Sequence, residues 1–370
     1  TTDQKGRGKV LQQDIPQFPT IADVGAGFRD EVSAAWPDCK VSKLDVTGTQ
    51  VASNGVTSAI VSALQRDPSI GYIAASDIAL APGLPAALKA AGLDPDKPPT
   101  TWAEVARDSA KLKASGQKCP FTTSWMSWTQ LESFSAWHNV LFATENNGFG
   151  GLGTRLVFNG PLQVRHMQDL ESMAKQGLFV YKGRNNVPDA AFRTGECAMT
   201  TASAGLLGSL KEQAKFAFGV STLPYYADVP GAPQNTVIGG ASLWVIAGKP
   251  ADHYKGIAAF FNYLSSPEVQ SASHKRTGYL PITLAAFKLT EQSGYYKQNP
   301  GAEVAVNQMI RKTTDKSRGI RLGNFLQIRT IIDEELEQVW AGKASAKEAL
   351  DKAVARGNEQ LEKFQAANKK

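Results

Sequence analysis

The sequence predicts an α/β protein with a parallel sheet and two domains, and three observations carry this prediction. A length of 370 residues exceeds what one hydrophobic core usually organises, which indicates two domains. Hydrophobic residues make up 42% of the chain, enough for a packed core and too many for a disordered one. Strand-like and helix-like segments alternate near the start of the chain, the order that is typical of a parallel sheet covered by helices.

Hydrophobic periodicity defines these first elements. The strand-like segments are 10–15, 41–46 and 71–75, and the helix-like segments are 28–35, 56–64 and 84–91. Ligands of parallel sheets gather at the carboxyl ends of the strands. Asp14, Asp45 and Asp77 lie near such ends, although single carboxylates at these places are also typical helix caps.

The rest of the chain contains signals for a linker, several helix starts and one further strand. Residues 93–100 are rich in proline and charge and predict a surface linker. Thr101–Glu104 and Ser345–Glu348 fit the capping box, and Pro161 predicts the start of another helix. The apolar run Ile238–Ile246, entered through a glycine pair, predicts a strand.

The net charge of +6 comes largely from one segment. Residues 311–329 carry six basic side chains, namely Arg311, Lys312, Lys316, Arg318, Arg321 and Arg329, and a single acid, Asp315. A nucleic-acid site more often spreads basic residues along a face and interleaves them with aromatics, and this segment has only Phe325. We therefore expect no nucleic-acid partner, which leaves a solvated basic loop and an anion site as alternatives.

Catalytic motifs are weak throughout. The four histidines are far apart and show no metal-ligand spacing. Gly148–Gly153 matches GxGxxG but lacks the strand before it and the helix after it that a dinucleotide site requires, so it predicts a loop. Thr201–Gly205 resembles half of a nucleophile elbow, yet no histidine is placed by sequence to activate Ser203.

Binding signatures are stronger. Trp125 and Trp128 place two indoles three residues apart; such faces suit the carbon skeleton of a polyol, although two core tryptophans are equally compatible with the spacing. Gly239–Gly240 allows backbone N–H groups to approach an anion closely. The turn at Tyr279 presents a phenol and backbone donors.

A resemblance covers the chain from about residue 86 to its end. The stretches that carry it are Thr101–Trp102, Ala110–Gly116, Gln130–Trp137, Cys197–Ser203, Gly239–Trp244, Thr277–Thr283, Arg321–Asn324, Gln327–Arg329 and Asp333–Glu337. Together they resemble the periplasmic substrate-binding subunits of bacterial ABC importers for sn-glycerol 3-phosphate. The resemblance implies a two-lobe, type II-like periplasmic-binding-protein fold with a hinge and a ligand cleft between the lobes. Residues 1–108 with 237–285 would form the first lobe, and 109–236 with 286–370 the second.

The same resemblance implies a set of ligand contacts. Ser203 corresponds to a hydroxyl donor, Gly240 to a backbone contact and Tyr279 to a phenolic donor. Arg329 corresponds to the guanidinium that engages the anionic end, and a guanidinium can grip phosphate bidentately. The last two positions, Trp125 and Trp128, correspond to tryptophans that line the cleft.

The first 85 residues depart from this family. We cannot place the tyrosine, glutamate and serine that the family's first lobe supplies to the ligand. Residues 28–92 resemble instead the second lobe of ribose- and LacI-like sugar-binding proteins, a class in which the position of Asp77 commonly touches sugar. The chain therefore has the appearance of a fusion, joined within the helix at 87–92.

The resemblance implies a non-catalytic monomer that binds a small anionic polyol phosphate in the periplasm and delivers it to the permease subunits, with no cofactor or metal. The N-terminus lacks the apolar core of a signal peptide, so we expect a mature chain from which the signal has been removed. A Cys119–Cys197 bridge would suit that compartment, with two buried thiols as the alternative. Two further functions stay open: a sugar or polyol binder with changed or lost specificity, and a phosphodiesterase or glycosidase.

Overall fold

A computed structural model describes residues 8–14, 17, 19–47, 63, 66–67, 69–70, 72–75, 92, 94 and 97–369. Contacts between residues divide the chain into two compact units, 1–86 with 215–217 and 87–214 with 218–370. The predicted lobe boundaries stay a prediction. Asp77, the segment 84–91 and all of 56–64 except Ala63 lie outside the described residues.

The first unit contains a parallel sheet, as the alternation of elements predicts. Its described elements are β1 (Gly8–Asp14), α1 (Pro19–Ala35), β2 (Cys39–Asp45) and β3 (Tyr72–Ala75). The strand order is β2-β1-β3, and β1 runs parallel to both neighbours. Val10, Val32 and Cys39 are buried together where α1 packs on the sheet.

The carboxyl ends of β1 and β2 carry Asp14 and Asp45, as expected from the sequence. Asp14 is only 1% exposed, and its carboxylate lies 3.4 Å from the Arg29 guanidinium and 3.7 Å from Lys43 Nζ. Lys43 also pairs with Asp45 at 2.7 Å. A buried carboxylate is stable only when it is paired, and these two cations supply that pairing.

The second unit is mostly helical. Its described strands are β4 (Cys119–Thr123) and β5 (Cys197–Thr201). Its α-helices are α2 (Trp102–Ala114), α3 (Ser133–Trp137), α4 (Pro161–Lys175), α5 (Asp189–Arg193), α6 (Leu206–Gln213), α7 (Ala251–Leu264), α8 (Pro267–Thr277), α9 (Leu284–Gln292), α10 (Tyr295–Gln298), α11 (Val304–Met309), α12 (Phe325–Trp340) and α13 (Ala346–Asn368). A π-helix spans Ser127–Glu132, and a left-handed turn spans Thr144–Gly148.

Local sequence signals set several of these helix starts. Thr101 and Glu104 form the predicted capping box of α2, since each side chain bonds the other residue's backbone N–H. Ser345 and Glu348 do the same for α13, and Pro161 occupies the first turn of α4. Residues 149–153 form a loop, as expected of a GxGxxG match without flanking strand and helix.

The main core lies where α12 and α13 pack on each other and on α4. One face of α12 is buried because its apolar residues recur at helical spacing, and this face consists of Ile328, Ile331, Ile332, Leu336 and Val339. This packing holds the amino-terminal part of α12, which carries Arg329, in a fixed position.

The two strands β4 and β5 pair in parallel, and a disulfide joins them at their amino ends. Cys119 lies opposite Cys197 in the register, and the two sulfurs are bonded. The predicted bridge is therefore confirmed. Because the pairing is parallel, both strands deliver their following loops to the same edge.

The strand predicted over Ile238–Ile246 is wrong. Residues 241–246 have no regular secondary structure, and Trp244 is 87% exposed. Apolar residues alone do not make a strand, because a strand also requires a neighbour with which to exchange hydrogen bonds. No described strand pairs with this segment.

None of the helices in the described ranges combines the length and apolarity needed to cross a membrane.

Candidate functional site

The predicted site residues lie in the second unit, on segments that leave one edge of the β4–β5 pair or approach it. Trp125 and Trp128 follow β4, and Ser203 follows β5. The two loops are tied together, because the Ser124 backbone N–H donates to the Thr201 carbonyl at 2.9 Å. The hydroxyls of Thr123 and Thr201 lie 2.6 Å apart just before the loops diverge. This edge therefore places the tryptophans and the serine side by side.

Ser203 and Tyr279 are brought together across a glycine. A Cβ added to Gly205 would lie 3.2 Å from Tyr279 Cζ and 3.5 Å from Ser203 Oγ. The phenol ring thus lies against the Gly205 backbone, beside the serine hydroxyl. Gly205 also donates its N–H to Ser203 Oγ at 3.2 Å, which fixes the hydroxyl oxygen.

Tyr279 is held by its backbone, and its ring is left 55% exposed. Gly278, with φ of +77°, ends α8 in the left-handed conformation that glycine adopts without strain. The Tyr279 carbonyl lies 2.7 Å from Nδ1 of His274, and the hydroxyl of Tyr296 lies 3.0 Å from Nε2 of that ring. Burial lowers the pKa of His274, which favours the neutral ring that donates to the carbonyl and accepts from the phenol.

The glycine pair, Gly239–Gly240, packs against the Trp128 ring. A Cβ on Gly239 would lie 2.7 Å from Trp128 Cζ2, so no other residue fits without a shift. The indole N–H is already used, since Trp128 Nε1 donates to the Val237 carbonyl at 3.2 Å. Gly240 follows with φ of +119°, and its Cβ position would lie 4.0 Å from Tyr279 Cε1. Trp128, Gly240, Tyr279 and Ser203 therefore form one continuous surface.

Trp125 has a strained backbone. Its φ is +52°, a conformation that is unusual for a bulky side chain and costs roughly 1–3 kcal/mol. Its N–H donates to the Asn185 carbonyl at 2.7 Å, and its own carbonyl accepts from the Thr129 N–H at 2.8 Å. The half-buried ring adjoins the same loop as Trp128, and the two-core-tryptophan alternative fits neither residue.

Arg329 is engaged in an ion pair within the protein. Its Nε and Nη2 donate to the two carboxylate oxygens of Glu132 at 2.7 and 2.6 Å. Glu132 is 2% exposed, whereas the Arg329 side chain is 31% exposed. Burial raises the pKa of the Glu132 carboxyl, and the guanidinium opposes that rise. The role of Arg329 as an anion contact stays a prediction, and the ion pair restricts which of its N–H groups can fulfil it.

Asp333 lies one helical turn beyond Arg329. Burial raises the pKa of Asp333 to about 6; Arg184 lowers it, and Glu337 and Glu132 add to the rise. Two turns beyond Arg329, Glu337 accepts from Arg184 Nε and Nη2 at 2.7 and 2.6 Å. Sequence reasoning missed these partners. The spacing of Arg329, Asp333 and Glu337 marks one helix face, but nothing local reveals a partner that lies 197 residues away.

The remaining basic residues of 311–329 do not form one uniform face. The Arg311 guanidinium lies 5.2 Å from the Trp137 ring, and Arg318 lies 4.7 Å from the Phe149 ring and 3.6 Å from Asp315. Arg311 and Arg318 therefore take part in separate local contacts.

The arrangement offers hydrogen-bond donors without an activated nucleophile. Hydroxyl, phenol, backbone N–H and guanidinium groups suit the oxygens of an anionic polyol. Within the described part of the chain, Ser203 forms no hydrogen bond to a histidine or a carboxylate. Residues 97–369 and the shorter described ranges also hold no group of three or more His, Cys, Asp or Glu suited to a metal ion.

Comparison with known proteins yields a family and several relatives. The family of bacterial extracellular solute-binding proteins matches residues 40–304. The sn-glycerol-3-phosphate-binding periplasmic protein UgpB of Pectobacterium atrosepticum is 52% identical over 284 residues, which is 76% of this chain and 64% of that protein. The protein of the same name from Salmonella typhimurium is also 52% identical over 284 residues, 65% of its length. The chain thus spans just under two thirds of these curated relatives.

Solved structures agree on the fold. The crystal structure of UgpB from Mycobacterium tuberculosis in complex with glycerophosphocholine has a TM-score of 0.60 at 23% identity, covering 76% of this chain and 68% of that one. The cyclic alpha-maltosyl-1,6-maltose binding protein of Arthrobacter globiformis has a TM-score of 0.60 at 17% identity, covering 96% and 100%. The predicted α/β two-lobe fold class and the resemblance over residues 86–370 are confirmed. The fusion at 87–92 stays a prediction.

Proposed function

Because the chain belongs to the family of bacterial extracellular solute-binding proteins, we propose that it captures sn-glycerol 3-phosphate or a glycerophosphodiester in the periplasm. It delivers this ligand, as a non-catalytic monomer, to the permease subunits of an ABC importer. The observation that carries the proposal is the continuous surface formed by Ser203, Tyr279, Gly240 and Trp128. Relatives 52% identical to this chain bear the name of that ligand.

Each part of the surface has a role toward a glycerol phosphate. The Trp128 ring offers its apolar face to the carbon skeleton, while its in-plane N–H is bonded to the Val237 carbonyl. Ser203 and Tyr279 offer hydroxyls to the ligand's oxygens, and the Gly240 backbone approaches closely because it has no side chain. Arg329 supplies positive charge for the phosphate.

Thermal unfolding with and without millimolar sn-glycerol 3-phosphate tests the proposal. We expect a concentration-dependent rise in the unfolding temperature, since a ligand that binds only the folded state stabilises it. Tyr279→Phe should reduce the rise, whereas Tyr263→Phe, at another exposed tyrosine outside the site, should leave it unchanged. A parent chain whose unfolding temperature does not move would contradict the proposal.

One observation favours a second candidate, a neutral sugar or polyol. Glu132 already compensates the charge of Arg329, so the net positive charge available to a ligand is reduced. The same measurement with glycerol, ribose and maltose separates the two candidates. A rise with one of these and none with glycerol 3-phosphate would favour the neutral ligand.

A further inference from the structure

The guanidinium of Arg329 is oriented by its surroundings. Glu132 accepts two parallel hydrogen bonds from the edge formed by Nε and Nη2. The Phe325 ring lies beside the guanidinium, 4.8 Å from Cζ to the ring centroid. Arg329 lies at the start of the second turn of α12, whose apolar face is buried. A long side chain that is normally mobile is therefore restricted from three sides.

This orientation determines which edge is open to a ligand. A guanidinium can grip an oxyanion through its Nε–Nη2 edge or its Nη1–Nη2 edge. Glu132 occupies the first edge. Among the described residues, Arg329 Nη1 has no hydrogen-bond partner. The Nη1–Nη2 edge is consequently the one left for an anion.

We propose that Glu132 is the positioning residue for Arg329: it fixes the guanidinium so that the Nη1–Nη2 edge receives the phosphate group of the ligand. The proposal rests on the proposed function, because it assumes that Arg329 meets an anion. Glu132 itself does not touch the ligand. Its contribution is orientation, so that less side-chain freedom is lost on binding.

The chain contains a matched control. Glu337 of α12 accepts from Arg184 Nε and Nη2 at the same two distances as Glu132 accepts from Arg329. Glu337 is 31% exposed, against 2% for Glu132, and it also accepts from the Tyr181 hydroxyl at 2.9 Å. Substitution of either glutamate by glutamine preserves the shape of the side chain and one acceptor oxygen, but removes the negative charge. Glu132→Gln and Glu337→Gln therefore remove the same kind of ion pair, one at Arg329 and one at Arg184.

Calorimetric titration with sn-glycerol 3-phosphate is the first measurement, at a temperature where all three proteins are folded. Loss of a residue that orients a ligating group commonly weakens binding about tenfold or more, and we expect that for Glu132→Gln. We expect less than about threefold for Glu337→Gln, because Arg184 has no assigned contact with the ligand. Equal effects of the two variants would show a merely structural role and overturn the proposal.

A second measurement does not depend on the ligand. With ¹⁵N-labelled arginine, the Nε–H signal of Arg329 should be resolved and slow to exchange in the parent chain and averaged in Glu132→Gln. A parent chain that binds no glycerol 3-phosphate would refute the proposed function, and this signal would then decide the positioning claim alone. An Nε–H signal that is equally averaged in both proteins would overturn it.

Discussion

The two halves of the candidate site are built by different means. The neutral half, formed by Ser203, Gly240 and Tyr279, lies on loops whose shape depends on glycines at 205, 239 and 278. The charged half, Arg329 with Glu132, lies on packed helices and is fixed by an ion pair. The geometry of the neutral half therefore depends on positions where a side chain would not fit. The geometry of the charged half depends on a buried carboxylate that must keep its cationic partner.

The largest expected effect on stability comes from removing the Cys119–Cys197 disulfide, which belongs to neither half of the site. The disulfide closes a loop with a sequence separation of 78 residues, and its removal in Cys119→Ala/Cys197→Ala should cost about 4.5 kcal/mol of unfolding free energy in the chain-entropy model. Urea unfolding measures this loss. Because the bridge lies at the opposite ends of β4 and β5 from the site, ligand affinity of the folded variant should be unchanged. A large affinity loss would contradict that separation.

The charged half should be the more sensitive to loss of a partner. Arg329→Ala leaves the Glu132 carboxylate buried and unpaired, so we expect about 3 kcal/mol of destabilisation. The same urea experiment on Arg329→Ala/Glu132→Gln should recover part of the loss, since the stranded charge is gone. A double variant no more stable than the single one would argue against a charged Glu132.

The neutral half should respond to added volume. Gly239→Ala places a Cβ 2.7 Å from Trp128 and should cost about 1–3 kcal/mol, with a change in tryptophan fluorescence. Gly256→Ala is the control, because its Cβ meets nothing within 4 Å in the interior of α7. That change should stabilise the chain by about 0.5–1 kcal/mol. Similar destabilisation by both would show that Trp128 does not constrain Gly239.

The last expected effect is a pH dependence near the charged half. The folded-state pKa of Asp333 is about 6, above its ordinary value of 3.8, so the folded state binds this proton more tightly than the unfolded state. Its contribution to stability is therefore present below about pH 4 and is lost as the pH rises to about 6. Asp333→Asn should flatten the pH profile of the unfolding temperature in that window. If the pH profile of Asp333→Asn matches that of the parent chain, the group that titrates in this window is not Asp333.

Much of the fold follows from local sequence signals. The capping boxes at Thr101 and Ser345, the strands predicted at 10–15, 41–46 and 71–75 and the helix predicted at 28–35 all correspond to structure that is present. Ile238–Ile246 shows the limit, because apolarity indicates suitability for a sheet but does not supply a partner strand. In the first unit, by contrast, hydrophobic periodicity alone predicts the elements β1, α1, β2 and β3.

The site divides in the same way. Glycines at 239 and 240 and the turn at Tyr279 are visible in the sequence because their backbone needs are local. The Glu132–Arg329 pair is not visible, since its members are 197 residues apart and meet only through helix packing. Asp333 was also missed, because its raised pKa arises chiefly from burial, which no short motif encodes.

A crystal structure of this chain with sn-glycerol 3-phosphate tests the central claim most directly. We expect the phosphate within hydrogen-bond distance of Arg329 Nη1, with Nε and Nη2 still bound to Glu132. The hydroxyls of Ser203 and Tyr279 and the Gly240 N–H should contact the same ligand, beside the Trp128 ring. A ligand bound elsewhere, or an Arg329 side chain that leaves Glu132 to reach it, would contradict the account.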